Sequence, residues 1–256
     1  MLTKIILLLA FSVFSQTEPK VCEGKSFPFL GETLKYEIYW GVMNVGKAEL
    51  KVSELIEISS ACAYKIVSSA ASSSFIENFY PVDDYNEAWP DISLGRSYGY
   101  YKSIKEGKYI KKEKVLYDYA KKIFSAETEN KKGEKKSSQG ELSGDSIDVL
   151  SALYLMRTVN LKKGESCNVR VNTRKSWEMK VLNRGSEKVE TKAGKFKCDI
   201  IEPQVGGEGI FVPREGKKLL VYISKDSRLP VLLRAEIFIG SITAKLVKIE
   251  KTDIHR

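Results

Sequence analysis

The feature that most constrains this chain is a period of two in its apolar residues, which recurs from near the N-terminus almost to the end. In LPVLLRAEIFIGSITAKLVKIE, Leu229 to Glu250, the residues Val231, Leu233, Ala235 and Ile237 alternate with Leu232, Arg234, Glu236 and Phe238. A Gly-Ser pair follows, and Ile242, Ala244 and Leu246 resume the pattern. Successive side chains of an extended strand point to opposite faces, so this stretch predicts a β-hairpin with one apolar face. GETLKYEIYWGVMNVGKAELKVSEL repeats the design around a turn at Gly41 to Asn44, with Leu34, Tyr36, Ile38 and Trp40 on one side and Lys35, Glu37 and Tyr39 on the other.

More strands are predicted at ACAYKIVSSAAS, within RSYGYYKSIKEGKYIKKEKVLYDYAKKIFSAE, and at SCNVRVN, SWEMKVLNRG, SEKVETKAG, KFKCDIIEPQV and KKLLVYISKD. The turns between them are short, whereas a parallel crossover needs about a dozen residues, so neighbours run antiparallel. The fold class expected is mainly all-β. It is a large antiparallel sheet of about 11 to 13 strands, either barrel-like or folded into two packed sheets.

One segment breaks the period. In GDSIDVLSALYLMRTVNLKKGES, the residues Ile147, Leu150, Tyr154 and Arg157 fall at helical spacing with Leu153 beside them, and Asp145 or Ser146 can cap. An amphipathic helix over 146–158 is predicted, placed to cover an open end or edge of the sheet. The polar, lysine-rich segment 130–144 before it is predicted to be an exposed loop. The acidic stretch IENFYPVDDYNEAWPD, with Glu77, Asp83, Asp84, Glu87 and Asp91, matches no calcium loop and reads as a solvated connection between strands.

The chain opens MLTKIILLLAFSVFSQTEPK, with one lysine, an apolar run and then small or polar residues. Residues 1–15 are read as a secretory signal peptide cut after Ser15, and 16–256 as a single mature β domain. The apolar run is shorter than the roughly 20 residues that span a bilayer. Cys22 lies too far beyond it for a lipid-anchoring cysteine, so the protein is expected to be soluble and not lipidated, in the periplasm or outer envelope. The formal net charge of +9 is spread over many lysine-rich strands and turns with no compact basic stripe, which reads first as solvated strand faces and loops, with an anionic membrane surface or lipopolysaccharide as the alternative partner. In an exported protein it does not point to nucleic acid.

The four cysteines can form disulfides in that compartment. Cys167 shares strand phase with Val169 and Val171, and Cys198 with Phe196 and Ile200, so the preferred pairing is Cys22 with Cys62 and Cys167 with Cys198. Buried free thiols are the alternative.

Residues able to carry chemistry are sparse. The one histidine, His255, is penultimate, which rules out histidine-based triads and ordinary zinc sites in an ordered core. There is no Ser-x-x-Lys, P-loop or GxGxxG, and GGEG at Gly206 to Gly209 reads as a turn. No catalytic residue, metal or cofactor is assigned. Aromatics are plentiful, at 13 Tyr, 10 Phe and 3 Trp, and serve either to fill a β core or to line a cavity.

The succession of motifs resembles a bacterial family of exported proteins, domain of unknown function 3108. It runs from FPFLGETLKYEIYWGVMNVGKAEL through YPVDDYNEAWPD, GKYIKKEKVLYDY, DVLSALYLMRTVNLKKGE and AGKFKCDIIEP to LLVYISKDSRLPVLLRAEIFIGSITAKL. Coverage is from Phe27 to about Glu250, and Tyr222 stands where the pattern leads one to expect tryptophan. The resemblance implies an envelope protein of mostly β fold, and it brings no reaction, ligand or catalytic residue.

Three functions follow as expectations. The first is a non-catalytic carrier or binding module for an apolar ligand such as lipid, with Tyr36, Trp40, Leu50, Tyr154, Trp177 and Phe238 nearest the cavity. The second is an interaction protein of the cell envelope, meeting a protein partner through a sheet edge or the basic loop. The third, least supported, is a carboxylate-dependent hydrolase.

Overall fold

The structure is a computed structural model, and it describes residues 20–22, 28–204, 218–237 and 240–252. The predicted signal peptide with its cleavage point, the predicted turn at GGEG, Phe238 and His255 lie outside the described residues.

The strands are β1 (Glu32–Trp40), β2 (Met43–Ile58), β3 (Ala61–Ser72), β4 (Asp83–Pro90), β5 (Ser97–Glu106), β6 (Tyr109–Asp118), β7 (Ile123–Asn130) and β8 (Lys135–Glu141). After the main helix come β9 (Ser166–Asn172), β10 (Ser176–Thr191), β11 (Gly194–Gln204), β12 (Leu219–Ser224), β13 (Pro230–Glu236) and β14 (Ser241–Lys251). A one-turn helix, α1 (Ser74–Glu77), follows β3, and α2 (Val149–Thr158) separates β8 from β9.

All the strands form one 14-stranded sheet in which each pairs antiparallel with its neighbour in sequence. The exception is the middle, where β1 pairs with β14 from Glu32 opposite Lys251 to Trp40 opposite Ile242. Strands β1 to β8 therefore spread to one side of this seam and β14 back to β9 to the other, leaving β8 and β9 as edges.

The sheet curls until its two wings meet. Residues 142–148 bridge them: the Ser97 N–H donates to the Ser146 carbonyl, and the Ile147 N–H donates to Arg170 of β9. Across the same gap, the Tyr117 hydroxyl of β6 donates to the Asn172 carbonyl at 2.7 Å. The bridge gives the sheet its barrel-like form and covers part of the β9 edge, which would otherwise offer unpaired backbone groups.

Helix α2 lies inside this curl rather than over its end. Tyr154 packs among Phe29, Tyr64 and Ile66. Leu150 and Leu153 meet Leu34, Tyr36 and Leu246, while Ala152 and Met156 meet Val171, Val181 and Ile223. A helix whose side chains reach three separate sectors of one sheet is a plug, and it occupies the space that a ligand cavity would need. The face of the closing hairpin, Val231 and Leu246, looks onto this plug.

Both helix ends are tied. Asp148 is the N-cap, its carboxylate accepting from the Leu150 and Ser151 N–H groups at 2.9 and 3.0 Å. Ile147 is held in a bridge to Val171, so the helix starts three residues later than the predicted 146. At the C-terminus, Arg228 from the β12–β13 turn donates to the carbonyls of Met156, Arg157 and Val159. Arg157 donates back to the Arg228 carbonyl and forms a two-pronged pair with Glu32 at 2.5 and 2.8 Å. The SRLP segment of the sequence is thus the clamp on the plug.

Three other expectations are corrected. The described residues form 14 strands against an expectation of about 11 to 13, because the acidic stretch contains β4 and the predicted loop 130–144 contains β8. Strand β8 pairs with β7 from Glu129 opposite Lys135 to Ile123 opposite Glu141, and it is solvated almost throughout, so it carries no apolar alternation to read. Cys22 and Cys62 are joined as expected, but Cys167 and Cys198 are free. On β10, which lies between them, Cys167 faces Val181 and Cys198 faces Glu187. Two strand widths plus six residues of offset, about 20 Å along the strand, put a disulfide out of reach.

Candidate functional site

The residues expected to line a cavity come together only in part. Tyr36 and Leu50 are buried in one core cluster, and the Tyr36 hydroxyl donates to the Pro230 carbonyl at 2.8 Å. Tyr154 is buried in a second cluster, and Trp177 is half-buried at the margin of a third, its indole N–H 3.4 Å from the Thr173 hydroxyl. Burial drives the Tyr36 and Tyr154 hydroxyls above their ordinary pKa range, as for packed phenols rather than reactive ones. Trp40 alone of the described five stands in the open.

Trp40 leads to the feature that the sequence reading missed. Because strands alternate in direction, the β1–β2, β3–β4, β5–β6 and β13–β14 turns lie at one end of the barrel. These turns touch in succession. The Gly41 N–H points at the Ser241 carbonyl, Ser73 donates to Val45, and Gly107 donates to Pro81. The Tyr80 ring lies against Gly107, and the Trp40 indole lies beside Gly240.

This linked rim carries most of the exposed large apolar side chains among the described residues. Val42 at the first tip is 98 % exposed, and Phe75 and Phe79 around α1 are 66 % and 77 % exposed. Tyr80, Met43 and Trp40 stand behind them at 52 %, 42 % and 42 %, with Tyr109 and Ile237 at the margins. Such an apolar cluster costs solvation and marks a place where something is met. Phe79 and Tyr80 fall within the stretch singled out earlier for its acids, and the signal available there was ENFYP, two adjacent aromatics with no alternating strand to bury them.

Acids lie beside the rim. Asp84, at the start of β4, accepts from the Lys105 N–H at 2.9 Å. Partial burial raises its pKa to about 6, with the neighbouring Glu106 and Asp83 carboxyls pushing the same way. The group can store a proton, but no histidine or second polarising group among the described residues turns this into a triad.

A second charged cluster lies just inside the barrel, between β5, β6 and the N-terminus of α2. Lys102 and Glu113 are cross-strand partners, and the Lys102 ammonium lies 4.4 Å from the centre of the Tyr100 ring. Glu113 accepts from the Tyr100 hydroxyl at 2.7 Å and the Lys111 ammonium at 2.6 Å, with Arg174 at 3.3 Å. Burial lowers the Lys102 pKa to about 8. Burial alone would raise Glu113, but Lys111 and Tyr100 hold it below its ordinary value. These charges answer one another and stitch the bridging segment to the wall. Among the described residues no cluster of His, Cys, Asp and Glu could hold a metal ion, and no helix is long and apolar enough to cross a membrane.

Comparisons with known proteins agree with this architecture. The profile of the family described as "Protein of unknown function (DUF3108)" matches residues 35–247. A β-barrel-like protein of domain of unknown function DUF1849 from Brucella abortus superposes with a TM-score of 0.55 at 8 % identity, covering 87 % of this chain and 98 % of its own. A Bacteroides fragilis protein described by its YmcC-like fold covers 88 % of this chain and 98 % of its own at 12 % identity, with a TM-score of 0.36. The first likeness establishes the fold alone, and the second is too weak to argue from. No curated protein sequence matches the chain.

Proposed function

We propose a non-catalytic, lipid-handling role in the cell envelope for this chain, which belongs to the family of proteins of unknown function DUF3108. The observation that carries the reading is the rim: apolar side chains from separate turns gathered at one end of the barrel and left in solvent. The apolar ligand is met there and not in the deep core, because α2 fills the core. Export agrees with the signal-peptide pattern of residues 1–15 and with the Cys22–Cys62 disulfide, which persists in an oxidising compartment.

The test is native mass spectrometry of the protein purified from its own host. Lipid is expected to accompany the wild type, and to fall about tenfold or more in the double variant Val42→Asp, Phe79→Asp. A protein that arrives empty, or one bound instead to an envelope protein through the β8 edge, would replace this reading with that of a scaffold.

A further inference from the structure

We infer that the rim is a docking surface for an anionic lipid bilayer, onto which the barrel sits end-on. The inference rests on the rim reading and names its partner.

The first ground is shape. A groove grips a single chain between walls, whereas these side chains occupy tips. Val42 stands nearly free at a tight turn, and nothing lies within 4 Å of a Cβ built on Gly41 beside it. Several tips at one end of a barrel fit a plane.

The second ground is the order of side chains by exposure. The most exposed, Val42, Phe75 and Phe79, carry no polar side-chain atom. Behind them stand Trp40, Tyr80 and Tyr109, rings with one polar atom each, about half exposed. Apolar groups outermost with amphipathic rings behind is the arrangement of a lipid–water interface, where acyl chains take the former and headgroups the latter.

The third ground is charge. The rim sector itself is mixed and slightly acidic, with Lys47, Lys105 and Lys108 against Glu77, Asp83, Asp84 and Glu106. The next turn at the same end, β7–β8, adds exposed Lys131, Lys132, Lys135 and Lys136 against Glu129 and Glu134. An apolar sector adjoining a cationic one, on a chain of net charge +9, complements anionic headgroups. A protein partner or a single lipid would use the apolar sector and leave the cationic one idle.

The experiment is flotation of the mature chain with vesicles of phosphatidylcholine alone or mixed with phosphatidylglycerol. The protein is expected to float with the anionic vesicles and about tenfold less with the neutral ones, with a loss of binding as salt is raised. Val42→Asp with Phe79→Asp should abolish flotation at an unchanged unfolding midpoint, while Lys131→Glu with Lys132→Glu should reduce only the anionic preference. Absence of flotation, or flotation untouched by the rim variant, overturns docking. Lipid retained in native mass spectrometry without flotation keeps lipid handling and rejects docking. Flotation of a protein that purifies empty keeps docking and rejects the carrier. Equal flotation on both vesicles rejects the charge ground and with it the anionic bilayer as partner.

Discussion

At the scale of single residues, Asp84 shows how position overrides composition. Read in sequence it was one acid among five in a solvated connection, yet in the sheet it begins β4, half-withdrawn from water beside Glu106. An unfolded carboxyl loses its proton near pH 3.9, while folded Asp84 keeps its own until about pH 6. Folding therefore takes up a proton in that window, and stability falls as pH rises through it. Asp84→Asn still offers an oxygen to the Lys105 N–H but no longer titrates. Its stability relative to wild type should rise between about pH 4 and pH 6 and stay higher above, as urea unfolding at stepped pH would show. Parallel curves would mean that the carboxyl is not strained. The rim aromatics Phe75, Phe79 and Tyr80 were equally hard to read, because a one-turn helix and its flanks carry no period and exposure is set by neighbours distant in sequence.

At the scale of elements, the strands with one wet and one dry face were legible from the period of two, and the Gly41–Val42 turn fell where expected. What alternation could not convey was the polar edge strand β8 or the destination of α2. An amphipathic helix announces a buried stripe, but Ser151, Ala152, Tyr154, Met156 and Arg157 are all buried here, which is a helix enclosed on most sides. The buried Arg157 explains how a charge is tolerated inside: Glu32 accepts from the edge of its guanidinium, and the Phe29 ring lies 4.3 Å from it. Arg157→Ala leaves Glu32 buried without its partner and loosens the hold of the Arg228 clamp, so it should cost about 3–5 kcal/mol in denaturant unfolding. Arg157→Met with Glu32→Leu removes both charges and should cost clearly less. If the single and double variants are equally damaged, the pair is not what secures the plug.

At the scale of the whole molecule, Cys167 and Cys198 looked like partners in sequence because both sulfurs fall on the apolar side of their strands, and only the register of β10 shows that they cannot meet. The Cys22–Cys62 bond closes 40 residues and pins the segment before β1 to β3. By loop entropy it should contribute about 4 kcal/mol. The double variant Cys22→Ser, Cys62→Ser should unfold at correspondingly lower denaturant, whereas Cys167→Ser should change little. An unaffected midpoint in the first would show that the N-terminal segment is held by packing alone. The β1–β14 pairing has a further consequence, for the order in which the molecule can be completed. β14, the last of the described strands, belongs at the middle of the sheet, between the first strand and the thirteenth. Without it the two wings meet only across the 142–148 bridge, and the β1–β14 contacts span nearly the full length of the described chain, the slowest kind to make. Closing this seam is therefore expected to be the slow step of folding, after the local hairpins of each wing have formed.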